Sequence, residues 1–202
     1  PTALPQYLTV NGSSGAGTGT GELVFVNYGL IEDYATLDSL GVSVKGKVVL
    51  ARYGRSFRGI KAREAEKRGA VAVLIYTDPA DDGFVRGDVY PEGPMRPNRG
   101  LQRGSVYNGA GDPLTPGIGA TARAKRLKPE EAPASLKIPT LPIAYRDAEH
   151  LLTALDGRVV PPSWRGSLPL TYHIGGGSPR VHLAVKSEWS LKPIYDVVAV
   201  MK

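Results

Sequence analysis

Two arginines, Arg55 and Arg58, follow the apolar run 47–53 and precede a helical pattern that starts at Ile60. If that run is a parallel strand, both arginines sit at its carboxyl end, where open α/β sheets bind ligands. A guanidinium there can hold a carboxylate through two parallel hydrogen bonds. The alternative is an ordinary surface arginine. Other chemistry is scarce. The three histidines, His150, His173 and His182, form no helical His-Glu-x-x-His pair, so they make a weak case for zinc. Asp78, Asp81, Asp82, Asp88 and Glu92 cluster in sequence but match no calcium loop, and they read as a solvated acidic loop. No Gly-x-Ser-x-Gly elbow occurs. Cysteine is absent, which excludes disulfides, thiolate zinc sites and cysteine nucleophiles. Catalysis by this segment alone has no visible machinery.

The arginines need a scaffold, and the chain supplies one. Apolar, β-branched runs at 23–28, 47–53 and 70–76 read as strands. A helix at 60–68, with Ala62 and Ala65 inward, Glu64 and Lys67 exposed and Gly69 as its stop, makes the last two strands a β-α-β unit. Both faces of that sheet should be covered. A further short helix is expected at 32–40 and a Pro-punctuated edge strand at 138–143. Asp147 is expected to cap a helix carrying Ala148, Leu151, Leu152 and Leu155 on one face. Strands are expected at 168–174, 181–185 and 194–201. Between them, residues 78–135 carry eight prolines and no periodic element. So long a structureless stretch usually serves a function or packs on something outside the domain. The small-residue stretch 11–21 has Gly-x-Gly spacing but lacks the strand, helix and Lys-Ser/Thr pair of a phosphate loop, so it reads as a flexible surface loop or edge connection.

Composition sets the frame. The 25 glycines and 17 prolines make 42 of 202 residues, a turn-rich chain that is still expected to fold. The net charge of +6 is spread without a Lys/Arg block or an aromatic-interleaved basic patch, so nucleic-acid binding is not expected. No apolar run approaches the roughly 18 residues of a membrane-crossing helix. The opening Pro1-Thr2-Ala3-Leu4 and the closing apolar run read as the ends of an excised piece.

An ordered series of motifs then becomes recognisable: 24–28 (VFVNY), 46–54 (GKVVLARYG), 56–59 (SFRG), 76–81 (YTDPAD), 102–104 (QRG), 108–117 (NGAGDPLTPG) and 163–168 (SWRGSL). Together they resemble the protease-associated (PA) domain of the glutamate carboxypeptidase II family, which includes prostate-specific membrane antigen and, distantly, transferrin receptor. The resemblance covers about residues 22–200. It implies an α/β fold of the β/β/α swivelling type, with a central mixed sheet, flanking helices and long Pro/Gly-rich loops. Residues 1–21 would be an N-terminal flexible or connecting segment and 22–202 the PA domain. It implies a noncatalytic lid over the substrate cavity of a zinc metallopeptidase. The two zinc ions and the catalytic glutamate would belong to a peptidase domain of the same parent chain, and this segment would carry no cofactor of its own.

Arg58 matches the family arginine that clamps the carboxylate of a peptide's C-terminal residue. Ser105 stands where glutamate-preferring members have an asparagine that touches the glutamate side chain. Thr115 and Ile118 match positions that give oxygen ligands to a structural calcium shared with the peptidase domain. The resemblance further implies a homodimeric parent, a monomeric segment and an extracytoplasmic location. The alternative is an interaction module of a transferrin-receptor-like protein without peptidase activity.

Overall fold

The computed structural model describes residues 8–177, 179–190, 193 and 195–201. In chain order the strands are β1 (Asn11–Gly12), β2 (Gly17–Phe25), β3 (Val48–Arg52), β4 (Ala72–Tyr76), β5 (Gly104–Ser105), β6 (Thr140–Ile143) and β7 (Arg180–Val185). The helices are α1 (Ile31–Ser39), α2 (Arg58–Lys67) and α3 (Tyr145–Ala154), with 3-10 turns at Pro129–Glu131 and Pro162–Trp164. The main sheet has the order β6-β4-β3-β2-β7. β2, β3, β4 and β6 run parallel, and β7 runs antiparallel to the first half of β2. This is an α/β fold around a mixed sheet, as expected.

The β-α-β reading of 47–76 holds: β3 and β4 pair in parallel, with Val48 opposite Ala72. Every residue of both strands is buried, which is why, apart from Arg52 at the end of β3, their sequences are continuous apolar runs rather than alternations. β6 is an edge strand, which tolerates the missing N–H of Pro142. On α3, Ala148 and Leu152 are buried as expected. Asp147 does not cap that helix, however; it lies in the first turn behind the N-cap Ala144.

Besides the Asp147 cap, several sequence expectations give way. Residues 168–174 form no strand; they make one bridge, Val159 to His173, and the Ile174 carbonyl accepts from the Phe25 amide of β2 at 2.9 Å. This segment instead wraps Tyr172 and Leu168 onto the core. No strand forms over the described part of 194–201, where Tyr195, Val197, Val198, Val200 and Met201 are exposed. An apolar run becomes a strand only where a neighbour offers ladder partners. Glu64 is buried rather than exposed, because Arg63, Lys67 and Arg68 close around it at 3.0–3.3 Å. Burial alone would raise its carboxyl pKa, but the hydrogen bonds and charges of Lys67 and Arg63 hold it below the usual range.

Another concerns the glycine stretch. Residues 17–21 are the first half of β2, paired with β7. Gly21, Gly19 and Gly15 pass, in turn, the backbone just before β3, at the start of β4 and just before β6. A Cβ on Gly21 would lie 2.6 Å from the Gly46 carbonyl, and one on Gly15 2.5 Å from the carbonyl carbon of Lys137. Gly19 and Gly21 are thus on the buried face of a strand pressed against other backbones, while Gly17 at its start stands open.

The 78–135 region holds only β5 and one 3-10 turn. Its acidic run is not one solvated loop. Asp78 is fully buried, Asp81 accepts from the Tyr28 hydroxyl at 2.8 Å, and Asp82 pairs with Arg96 at 2.9 Å.

Candidate functional site

The carboxyl ends of β2 and β3 carry a buried polar network. Asn27, in the left-handed region at φ 53°, donates to Asp33 at 2.8 Å and accepts from Arg52 at 2.5 Å. Asp33 also accepts from the Leu30 amide, which starts α1. The Arg52 guanidinium lies 4.2 Å over the Tyr28 ring. Lys61 of α2 is fully buried and donates to the carbonyls of Tyr28 and Gly54, both at 2.7 Å, and to the Ser56 hydroxyl at 3.3 Å. Desolvation pulls its pKa down to about 8, against the pull of Asp33 and Asp81. Lys61 therefore ties the first turns of α2 to the loop that leads into them. No periodic pattern flagged this lysine, because its burial depends on two carbonyls more than five residues away.

Arg58 opens α2 rather than lying in the loop before it. It is half-buried, with its guanidinium carbon 5.6 Å from the Tyr53 ring and 5.8 Å from the Phe57 ring. Its Nη1 donates, at a long 3.5 Å, to the Ser105 carbonyl. Arg58 and Ser105, 47 positions apart, are thus brought together. Among the described residues no carboxylate pairs with Arg58. Its helix has no side-chain cap and no acidic residue in its first turn. Arg58 thus adds a guanidinium to the positive end of its own helix, a combination of charges that favours an anion. Arg55, the other sequence candidate, stands exposed at φ 65° with its guanidinium 5.6 Å from the Tyr28 ring.

Thr115 and Ile118 form a separate corner. The Thr115 hydroxyl approaches Asp112 Oδ2 at 3.2 Å and the Ile118 carbonyl at 3.5 Å, and Arg126 lies 4.0 Å from the same Asp112 oxygen. Two neutral oxygens beside a carboxylate already facing a cation are too few for calcium, which takes six to eight oxygens. Zinc fits no better: among the described residues no three His, Cys, Asp or Glu side chains are grouped to hold a metal. His150 is exposed on α3, and His182 on β7 meets the Thr20 hydroxyl at 2.6 Å. His173 lies outside any strand.

Residues 19–151 match the family model described as the PA domain. The chain belongs to the PA domain family. Aminopeptidase NAALADL1 of Rattus norvegicus is 42% identical over 80% of this chain and 22% of its own length. The glutamate carboxypeptidase 2 homolog of Caenorhabditis briggsae is 36% identical over 98% of this chain and 27% of its own length. The probable glutamate carboxypeptidase AMP1 of Arabidopsis thaliana is 35% identical over the whole chain. This PA domain thus spans about a quarter of the length of the curated relatives it matches. Among its described residues no helix is long and apolar enough to cross a membrane.

The tyrosines of this PA domain set its response to alkali. Burial raises the phenol pKa values of Tyr34, Tyr53, Tyr76 and Tyr172, with the Asp78 carboxylate adding to the rise at Tyr76 and Tyr172. Above pH 10 the unfolded chain releases phenol protons that the folded chain keeps, so stability falls as pH rises. Between about 8 and 10.5 Lys61 acts the other way, since only the unfolded chain keeps its ammonium proton there. Denaturant midpoints should rise slightly from pH 8 toward 10 and then drop steeply. The drop should coincide with phenolate absorbance, and a flat profile to pH 11.5 would contradict the buried tyrosine cluster.

Proposed function

We propose that this chain is the noncatalytic lid of a glutamate carboxypeptidase-like zinc exopeptidase. The PA domain takes in the whole of β2 from Gly17 rather than starting at residue 22, and Arg58 anchors the C-terminal carboxylate of a peptide substrate. The observation that carries this reading is the half-buried Arg58 guanidinium, free of any described carboxylate, at an uncapped helix start. Ser105 borders the same spot through its carbonyl. The names of the relatives, carboxypeptidases and an aminopeptidase, support a peptidase parent.

Chemistry on the scissile bond would belong to the peptidase domain of the parent with its two zinc ions. This chain's part is to bind and orient the carboxylate and to exclude water over it. Thr115 and the Ile118 carbonyl would lend two oxygens to a calcium whose remaining ligands lie in that peptidase domain. The segment alone is a monomer, the parent a homodimer with an extracytoplasmic location.

Arg58→Ala in the full-length parent should weaken substrate binding by about 1.5–3 kcal/mol, the range for a hydrogen bond to a charged group. Steady-state kinetics on a peptide with a free C-terminus, against its C-terminal amide, measures this. Wild-type KM and kcat in the variant would refute the reading.

A further inference from the structure

The Arg58 guanidinium is held against a residue that has no side chain. A Cβ on Gly104 would lie 2.6 Å from Arg58 Cζ and closer still to Nη1, where real Cβ contacts do not occur. The backbone around Gly104 is fixed from several directions. The Tyr53 hydroxyl donates to the Gln102 carbonyl at 2.7 Å, β5 pairs with β1, and the Val106 amide donates to the Gly12 carbonyl at 2.9 Å. Asn108 donates to the Gly59 carbonyl at 2.8 Å, tying the same loop to the first turn of α2. Arg58 Nε is buried in this packing without a partner. Gly104 itself does not have a positive φ, so its backbone conformation does not call for glycine. The residue that requires its small size is Arg58.

We propose that Gly104 is the positioning residue for Arg58: its bare Cα is the wall that the guanidinium packs against, near the Tyr53 and Phe57 rings. A methyl group there meets only the far end of a flexible side chain among its nearest neighbours, so the fold can accept it while the guanidinium must leave. The functional consequence rests on the carboxylate-anchor reading of Arg58 above; the placement does not.

The test uses Gly104→Ala in this chain, read by the Arg58 Nε–Hε resonance in a nitrogen–proton correlation spectrum. That resonance is assigned by its loss in Arg58→Lys. The expected result is that it moves to the exchange-averaged position of exposed arginines, while amides outside 58–60 and 102–108 stay in place. An unmoved resonance overturns the proposal. So does a general shift of amides with a lowered melting point, because Gly104 would then serve the fold and not the arginine.

In the full-length parent, Gly104→Ala should raise KM about tenfold with kcat within about twofold, the loss of one charge-assisted hydrogen-bond pair. That effect should vanish in an Arg58→Ala background; persistence there overturns the proposal. If Arg58→Ala itself leaves KM unchanged, the carboxylate reading fails, and the spectrum alone decides for or against Gly104.

Discussion

Replacing Asp78 with alanine is expected to lower the unfolding free energy of the chain by about 4 kcal/mol, the scale for breaking a buried charged network. Asp78 is fully buried just beyond β4 and accepts four hydrogen bonds. The Tyr76 and Tyr172 hydroxyls donate to Oδ2 at 3.1 and 2.9 Å, and the amides of Ala80 and Ser167 donate to Oδ1 at 3.0 and 2.9 Å. Removing the carboxylate leaves the Tyr76 hydroxyl with no partner. The Tyr172 hydroxyl still accepts from the Leu168 amide at 3.0 Å but is left with no acceptor for its proton. An unpaired buried group costs about 1–3 kcal/mol. The substitution also releases the segment 162–168 from the end of the sheet. That segment packs Trp164 edge-on to Phe25 at 6.3 Å, and Phe25 lies 5.9 Å from the Tyr172 ring. Gly166 shows how tight the fit is, since a Cβ there would lie 2.6 Å from Asp78 Cγ. Chemical denaturation of Asp78→Ala checks the prediction, with the exposed Asp88→Ala as a control expected within about 0.5 kcal/mol of wild type. Equal stability of the two variants would mean that the carboxylate does not hold this corner.

Gly19→Val should cost about 3 kcal/mol, the upper part of the overpacking range, because the obstacle is backbone. A Cβ at position 19 would run into the Val71 carbonyl oxygen and lie 2.8 Å from the Ala72 methyl group. Neither can swing aside, because Ala72 opens β4 in the middle of the sheet. The first half of β2 would have to lift, and its pairing with β7 would lift with it. Thr18→Val, one residue away on the exposed face, should change stability by no more than about 0.5 kcal/mol. A thermal melt of the two variants side by side separates a packed strand from a flexible loop, which would tolerate both.

Much of the scaffold is legible from local pattern. The runs of β3 and β4 declare two buried strands, and the intervening helix with its Gly69 stop makes them parallel. Position alone brings Arg58 to the carboxyl end of a strand, and the ordered motifs point to the PA family. What pattern misreads is whatever depends on a distant partner. Gly15, Gly19 and Gly21 look like a loop because nothing in the stretch says that other backbones lie against it. Residues 168–174 alternate like a strand, yet only their last residue reaches a strand edge, where the Ile174 carbonyl accepts from the Phe25 amide at 2.9 Å. Glu64 looks solvent-facing on a helix until three cations surround it. Asp78 sits in an acidic run, and only the arrival of Tyr172 from 94 residues away makes it the keystone of a buried corner.

Local pattern reaches the family, the α/β class and the parallel core, and it places Arg55 and Arg58 just beyond β3. These follow from hydrophobic period, turn residues and an ordered set of short motifs, all local quantities. It takes the folded chain to bring Arg58 to Ser105, to set Gly104 behind its guanidinium, and to let Lys61 bind the preceding loop from inside the helix. Those contacts join positions as far as 47 residues apart. Their energy comes from close approach and desolvation, which exist only once the chain has folded back on itself.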